Sequence, residues 1–187
     1  CSSDLSYSTR TMTLEASIET VKVLRITNMA LFKAHCNWED ASVETAREIG
    51  QKLRDAGLRL TGSGVINLPN DEAKARKAFE NVKAAGMATM VCKPVPAALP
   101  LVDKLVKEYD QRLAIHNHGP EDKEYPTPAI IFDAIKSLDA RIGLCIDVGH
   151  TARGGEDPVT AIRKYGSRLH DVHMKDSVAG QGATRDI

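Results

Sequence analysis

Ionisable residues in this chain gather in short runs, each closing an apolar segment. Lys33 and His35 follow Met29-Ala30-Leu31-Phe32, and Lys93 follows Met90-Val91-Cys92. His116-Asn117-His118-Gly119 follows Leu113-Ala114-Ile115. Asp147-Val148-Gly149-His150 follows Leu144-Cys145-Ile146, and His173-Met174-Lys175-Asp176 follows Asp171-Val172. Imidazoles and carboxylates brought together are what a divalent cation or an acid–base pair requires. Taken singly, each residue has a plainer reading. A strand-end Asp147 caps the next turn, a lone His173 is hydrogen-bonded structure, and Lys33, Lys93 and Lys175 are solvated loop residues. His116 and His118 share one face of an extended strand, where they suit a metal or the orientation of other groups. Convergence favours the chemical reading, because independent caps do not put ionisable groups at the end of nearly every strand.

The elements that would position these groups follow from periodicity. Val43, Ala46, Ile49 and Leu53 recur at helical spacing, and Gly57 follows as the C′ residue. Ala75, Ala78, Phe79 and Val82 make a second stripe closed by Gly86, and Leu101, Val102, Leu105, Val106 and Tyr109 a third. Thr127-Pro128 and Asp157-Pro158 each set an N-cap side chain before a proline at N1. An earlier helix runs from about Leu14 to Leu24. Strands are expected from Met29 to about His35, then at Leu58–Val65, Met87–Cys92, Arg112–His116, Ile142–Asp147 and Leu169–Met174. The repeat of roughly 25–30 residues is the length of one βα unit. Strict alternation predicts a parallel sheet flanked by helices. Its closed form is the TIM barrel, and no Gly-rich phosphate loop after the first strand favours the open form.

The chain has 187 residues, whereas a complete (β/α)8 barrel takes about 250. The expectation is therefore an α/β TIM barrel that is truncated, with the last βα unit and part of the first strand missing. Cys1-Ser2-Ser3-Asp4-Leu5 reads like a translated sequencing adapter and is set aside as non-native, leaving residues 6–187 as a single incomplete domain. Lys+Arg and Asp+Glu are equal at 25 each, so nothing favours a nucleic-acid partner. No stretch reaches the ~18 apolar residues of a membrane span. Cys1, Cys36, Cys92 and Cys145 show no metal-type C-x-x-C spacing and read as reduced thiols. Cytoplasm is the expected compartment, with an export signal left open by the N-terminus, and a homo-oligomer is left open as well.

The runs Ile115-His116-Asn117-His118-Gly119-Pro120-Glu121, Cys145-Ile146-Asp147-Val148-Gly149-His150 and Asp171-Val172-His173-Met174-Lys175-Asp176 resemble the xylose isomerase-like sugar phosphate isomerase/epimerase superfamily. That group includes inosose dehydratases, hydroxypyruvate isomerases, ketose 3-epimerases and, more distantly, apurinic endonucleases. The resemblance implies a Glu, Asp, His, Glu site for a divalent ion (Mn2+, Mg2+, Co2+ or Zn2+). Asp147 and His173 match its Asp and His, and Glu121 matches its first Glu, with Asp122 and Glu124 close by. The second Glu would lie beyond Ile187. It implies an isomerase or epimerase that moves a proton next to the carbonyl of a small carbohydrate through an enediolate, with Glu121 as a catalytic carboxylate. Lys33, His35, Lys93, His116, His118, His150 and Lys175 would hold the substrate. A dehydratase or lyase on the same site, an apurinic-endonuclease-like phosphodiesterase and a non-catalytic sugar-binding barrel stand as alternatives.

Overall fold

A computed structural model describes residues 3–177 and 184–186. Strand and helix alternate from the start: β1 Ser3–Leu5, α1 Leu14–Val23, β2 Asn28–Leu31, α2 Val43–Asp55, β3 Arg59–Ser63, β4 Ile66–Leu68, α3 Glu72–Ala85, β5 Thr89–Pro94, α4 Leu99–Tyr109 and β6 Arg112–His116. They continue with α5 Pro128–Ile135, β7 Ile142–Asp147, α6 Val148–Arg153, α7 Pro158–Tyr165 and β8 Leu169–His173. A short antiparallel pair, β9 Lys175–Ser177 and β10 Thr184–Asp186, follows.

All pairings among β1–β8 are parallel, and the strands stand in chain order. β3 pairs with β2 and β4 with β5, so these two short strands share one place in the barrel. The single strand expected over Leu58–Val65 is thus broken after Ser63. The break sits at Gly64, where a Cβ would lie 2.7 Å from the Phe32 ring. Eight strands therefore fill seven places, and among the described residues no ladder joins β8 to β1. Ser3–Leu5, from the stretch set aside on sequence grounds, pairs with Asn28–Ala30 of β2.

Two periodicities build the layers. Along the strands, Met90 and Cys92, Leu113 and Ile115, and Leu144 and Ile146 face the helices and join Phe79, Val82, Leu105, Ile131 and Ile135 in the main core. The alternate residues Val91, Ala114 and Cys145, with Val65, fill the barrel axis. Small side chains suit that narrow space, while each fully buried Leu or Ile on the outer face contributes about 2 kcal/mol. Side-chain caps start α1, α2, α3, α6 and α7 at Thr13, Ser42, Asp71, Asp147 and Asp157. Thr127, expected to cap α5, makes no such bond, although Pro128 does occupy the first turn. Gly57 and Gly86 end α2 and α3 with φ of 77° and 73°. Cys36, Cys92 and Cys145 are buried free thiols, and no helix among the described residues is long and apolar enough to cross a membrane.

Candidate active site at the mouth of the barrel

β6, β7 and β8 lie side by side, and their C-terminal ends carry the densest polar cluster. Register sets Cys145 opposite His116 and Asp147 opposite His173. The second pairing depends on a bulge. Leu144 pairs with Leu169, but Cys145 pairs with Asp171, leaving His170 as an extra residue. Strict alternation from Leu169 would turn His173 toward the helices. The extra residue reverses the phase, so Asp171 and His173 face inward. The His170 ring is tied to the Leu113 carbonyl at 2.8 Å, which holds the bulge.

Asp147 is fully buried and its carboxylate is shared. Oδ1 accepts the His150 amide at 2.9 Å. Oδ2 lies 3.2 Å from His116 Nε2, 3.2 Å from Lys175 Nζ and 3.9 Å from His150 Nε2. Burial acts to raise its pKa, but the His116 contact, the His150 amide and Lys175 prevail and hold it well below the usual carboxylate range. Burial pushes His116 down to about 4, against the pull of Asp147, and His173 down to about 3. Both imidazoles are therefore neutral at neutral pH, and His116 meets Asp147 through a neutral ring N–H rather than an ion pair. His116 thus meets the Asp147 carboxylate through Nε2, and its other ring nitrogen, Nδ1, lies 3.3 Å from His118 Nδ1. His118 and His150 are also lowered, chiefly by burial.

The rings crowd together. His116 lies 4.4 Å from His118 and 4.7 Å from His173 between centroids. His173 Nε2 is buried with no hydrogen-bond partner. An unsatisfied buried nitrogen is costly, and a cation would satisfy it. The donor set thus fits a divalent ion, with His116 and His173 offering nitrogens beside the Asp147 carboxylate.

A cavity of about 310 Å3 opens over this cluster, lined by Tyr7, Phe32 and Asn67 together with Lys33, His116, His118, His150, His173 and Lys175. Three of the residues expected here do not line this cavity. Glu121 is two-thirds exposed and pairs with Arg153 of α6. His35 hydrogen-bonds with Ser6 at 2.8 Å and with Ser17 at 3.1 Å. Lys93 is held by Asp122 at 2.5 Å and Glu124 at 3.3 Å. Conversely, sequence reasoning passed over Asn117, whose Oδ1 accepts the Asp147 amide at 2.9 Å and whose amide donates to Thr151 Oγ1 at 3.2 Å. It also passed over Cys145, whose sulfur lies within 4.8 Å of a ring nitrogen of His116 and one of His173. The available signal was position, since Cys145 precedes Asp147 by two on one strand and so shares its face.

Comparison with known proteins agrees with this architecture. Residues 97–186 match the family model described as xylose isomerase-like TIM barrel. Over 85 residues, 45% of this chain, the sequence is 32% identical to inosose dehydratase of Clostridium tetani, and that match spans 28% of the relative's length. An uncharacterized protein from Parabacteroides distasonis superposes with a TM-score of 0.77 at 22% identity, over 97% of this chain and 80% of its own. A sugar phosphate isomerase/epimerase from the same organism gives 0.70 at 16% identity, over 97% and 77%. Residues 97–186, which carry His116, Asp147 and His173, thus match the xylose isomerase-like TIM barrel family model, and the fold is shared with these solved structures over nearly the whole chain.

Proposed function

We propose that the protein is a metal-dependent isomerase or epimerase of a small sugar or sugar phosphate, transferring a proton next to the substrate carbonyl. The observation that supports this most is the meeting of the β6, β7 and β8 ends in one cavity around a buried, unpartnered imidazole nitrogen. In this reading His116 and His173, beside Asp147, hold a divalent cation. When bound, the cation supplies a Lewis acid for the carbonyl and its neighbouring hydroxyl. Lys33 and Lys175 bind hydroxyls or a phosphate, and Tyr7 and Phe32 form an apolar wall. The neutral imidazoles of His118 and His150 face the cavity and accept and return the substrate proton. Glu121 takes part only if it leaves Arg153.

A dehydratase of a keto-cyclitol starts with the same deprotonation. The match to inosose dehydratase makes it the second reading.

The test is elemental analysis followed by solvent-deuterium exchange. The expected result is about one divalent ion per chain, lost in Asp147→Ala and His173→Ala and kept in Glu121→Ala. A panel of ketoses, ketose phosphates and keto-cyclitols should show one substrate whose carbon-bound hydrogen exchanges with D2O only in the metal-loaded protein. A folded protein that takes up no divalent ion overturns the proposal. Metal loss in Glu121→Ala alone would return Glu121 to the ligand set.

A further inference from the structure

A second cavity, of about 580 Å3, lies beside the one that holds the histidines. It opens where β4 and β5 end against α3, and Asn67 of β4 lines both cavities. Asn67 stands opposite Lys93 of β5 in the ladder, and Lys93 lines the second cavity. Asp122, the ion-pair partner of Lys93, lies 4.0 Å from Nδ1 of His118, a residue of the histidine cavity. The two spaces therefore share one wall, and each falls within the ~300–1,000 Å3 of small-molecule sites.

We infer that the second cavity is a subsite for a second sugar ring, and that the substrate is a disaccharide whose reacting unit occupies the histidine cavity. This rests on the isomerase reading above and names the substrate class that reading left open.

Three arguments carry it. The first is charge. Lys74, Lys77 and Lys93 line the second cavity together with Glu39, Asp40 and Glu124. Three cations matched by three carboxylates leave no excess positive field for a phosphate. The same mixture suits hydroxyl groups, because each hydroxyl both donates and accepts. The second is preorganisation. Glu39 accepts the Asn67 backbone amide at 2.7 Å and its side-chain amide at 3.1 Å. Lys77 donates to the Asp40 carbonyl at 2.9 Å, and Lys93 is held by Asp122 and Glu124. An ammonium has three donors and a carboxylate two oxygens, so these groups are fixed in place and still have capacity for a ligand. The third is the apolar surface. Leu68, Ala78 and Val95 line the same space, and the C–H face of a sugar ring packs against such carbons while its hydroxyls meet the charged rim.

The experiment is titration calorimetry of the full chain in buffer containing Mn2+. Lactulose, maltulose and isomaltulose each join a fructose unit to a second hexose, so fructose is the matched control. The expected result is that at least one disaccharide binds about tenfold or more tighter than fructose, the gain that one or two further hydrogen bonds supply. Lys77→Ala should weaken that disaccharide about fivefold, and Val95→Trp, which fills the second cavity, should remove the preference. Both variants should leave fructose affinity unchanged. A panel in which no disaccharide exceeds fructose overturns the inference, whether or not fructose itself binds. A preference that survives both variants overturns it too, because the second ring then lies elsewhere. Fructose 6-phosphate binding tighter than every disaccharide, and weakened by Lys77→Ala, would make the cavity an anion site and also overturn it. Binding needs no turnover, which separates this inference from the reading it rests on. Equal affinities with hydrogen exchange intact reject the two-ring substrate alone, and a two-ring preference with no exchange rejects the isomerase reading alone. If Val95→Trp does not fold, Lys77→Ala, at an exposed position of α3, decides.

Discussion

Replacing Asp122 tests how the loop that carries His118 and Glu121 is fixed to the barrel. Asp122 Oδ1 accepts the amides of Glu124 and Tyr125 at 2.8 and 2.9 Å, and Oδ2 meets Lys93 of β5 at 2.5 Å. The side chains of Asp122 and Lys93 are 9% and 23% exposed, so water screens the pair only partly. Burial acts to raise the Asp122 pKa, but Lys93 and the two amides prevail and bring it from the usual 3.8 to about 2. That drop corresponds to about 2 kcal/mol in favour of the ionised form. Asp122→Asn retains an acceptor for the amides and loses the charge, so it should cost about 1–2 kcal/mol. Asp122→Ala also strands two loop amides and should cost about 3 kcal/mol. Urea denaturation at pH 7 measures both. The folded pKa is depressed, so the contribution is complete above the unfolded value near 3.8 and fades as pH falls toward 2. The Asn penalty should therefore shrink between pH 5 and the lowest pH at which the protein stays folded. An Ala variant within about 0.5 kcal/mol of the parent, a typical neutral surface change, would refute the reasoning.

Two further expectations concern packing. A Cβ on Gly50 would lie 2.1 Å from the Ala85 carbonyl oxygen, where α2 crosses α3 and only backbone could yield. Gly50→Ala should lose more than about 3 kcal/mol or fail to fold, and a thermal melt like the parent's would mean the helices are not in such contact. Arg168 donates to the carbonyls of Leu138 at 2.8 Å, Asp139 at 2.8 Å and Ile142 at 2.7 Å, tying the α5–β7 turn to the start of β8. Arg168→Ala should cost about 2–3 kcal/mol in urea denaturation, and a neutral result would show that water replaces it freely.

The chain itself determined the βα alternation, because the apolar stripes and their glycine stops are local properties. β6 and β7 fall at Arg112–His116 and Ile142–Asp147 as read from sequence, and β8 ends one residue before the expected Met174. Their polar ends could be expected to meet, since consecutive parallel strands bring their C-terminal ends to one face. The membership of the site was not legible in the same way. Glu121 and Lys93 are drawn off by Arg153 and Asp122, residues about 30 positions away whose proximity only packing creates. The nearness of Cys145 to His116 and His173 likewise exists only because β6 and β8 flank β7. His173 itself faces the barrel axis because His170 is bulged out, its ring held by the Leu113 carbonyl of a strand that β8 does not adjoin. Period and composition are encoded residue by residue, whereas the phase of a strand, and hence which side chains meet, is set by register with neighbours far away along the chain.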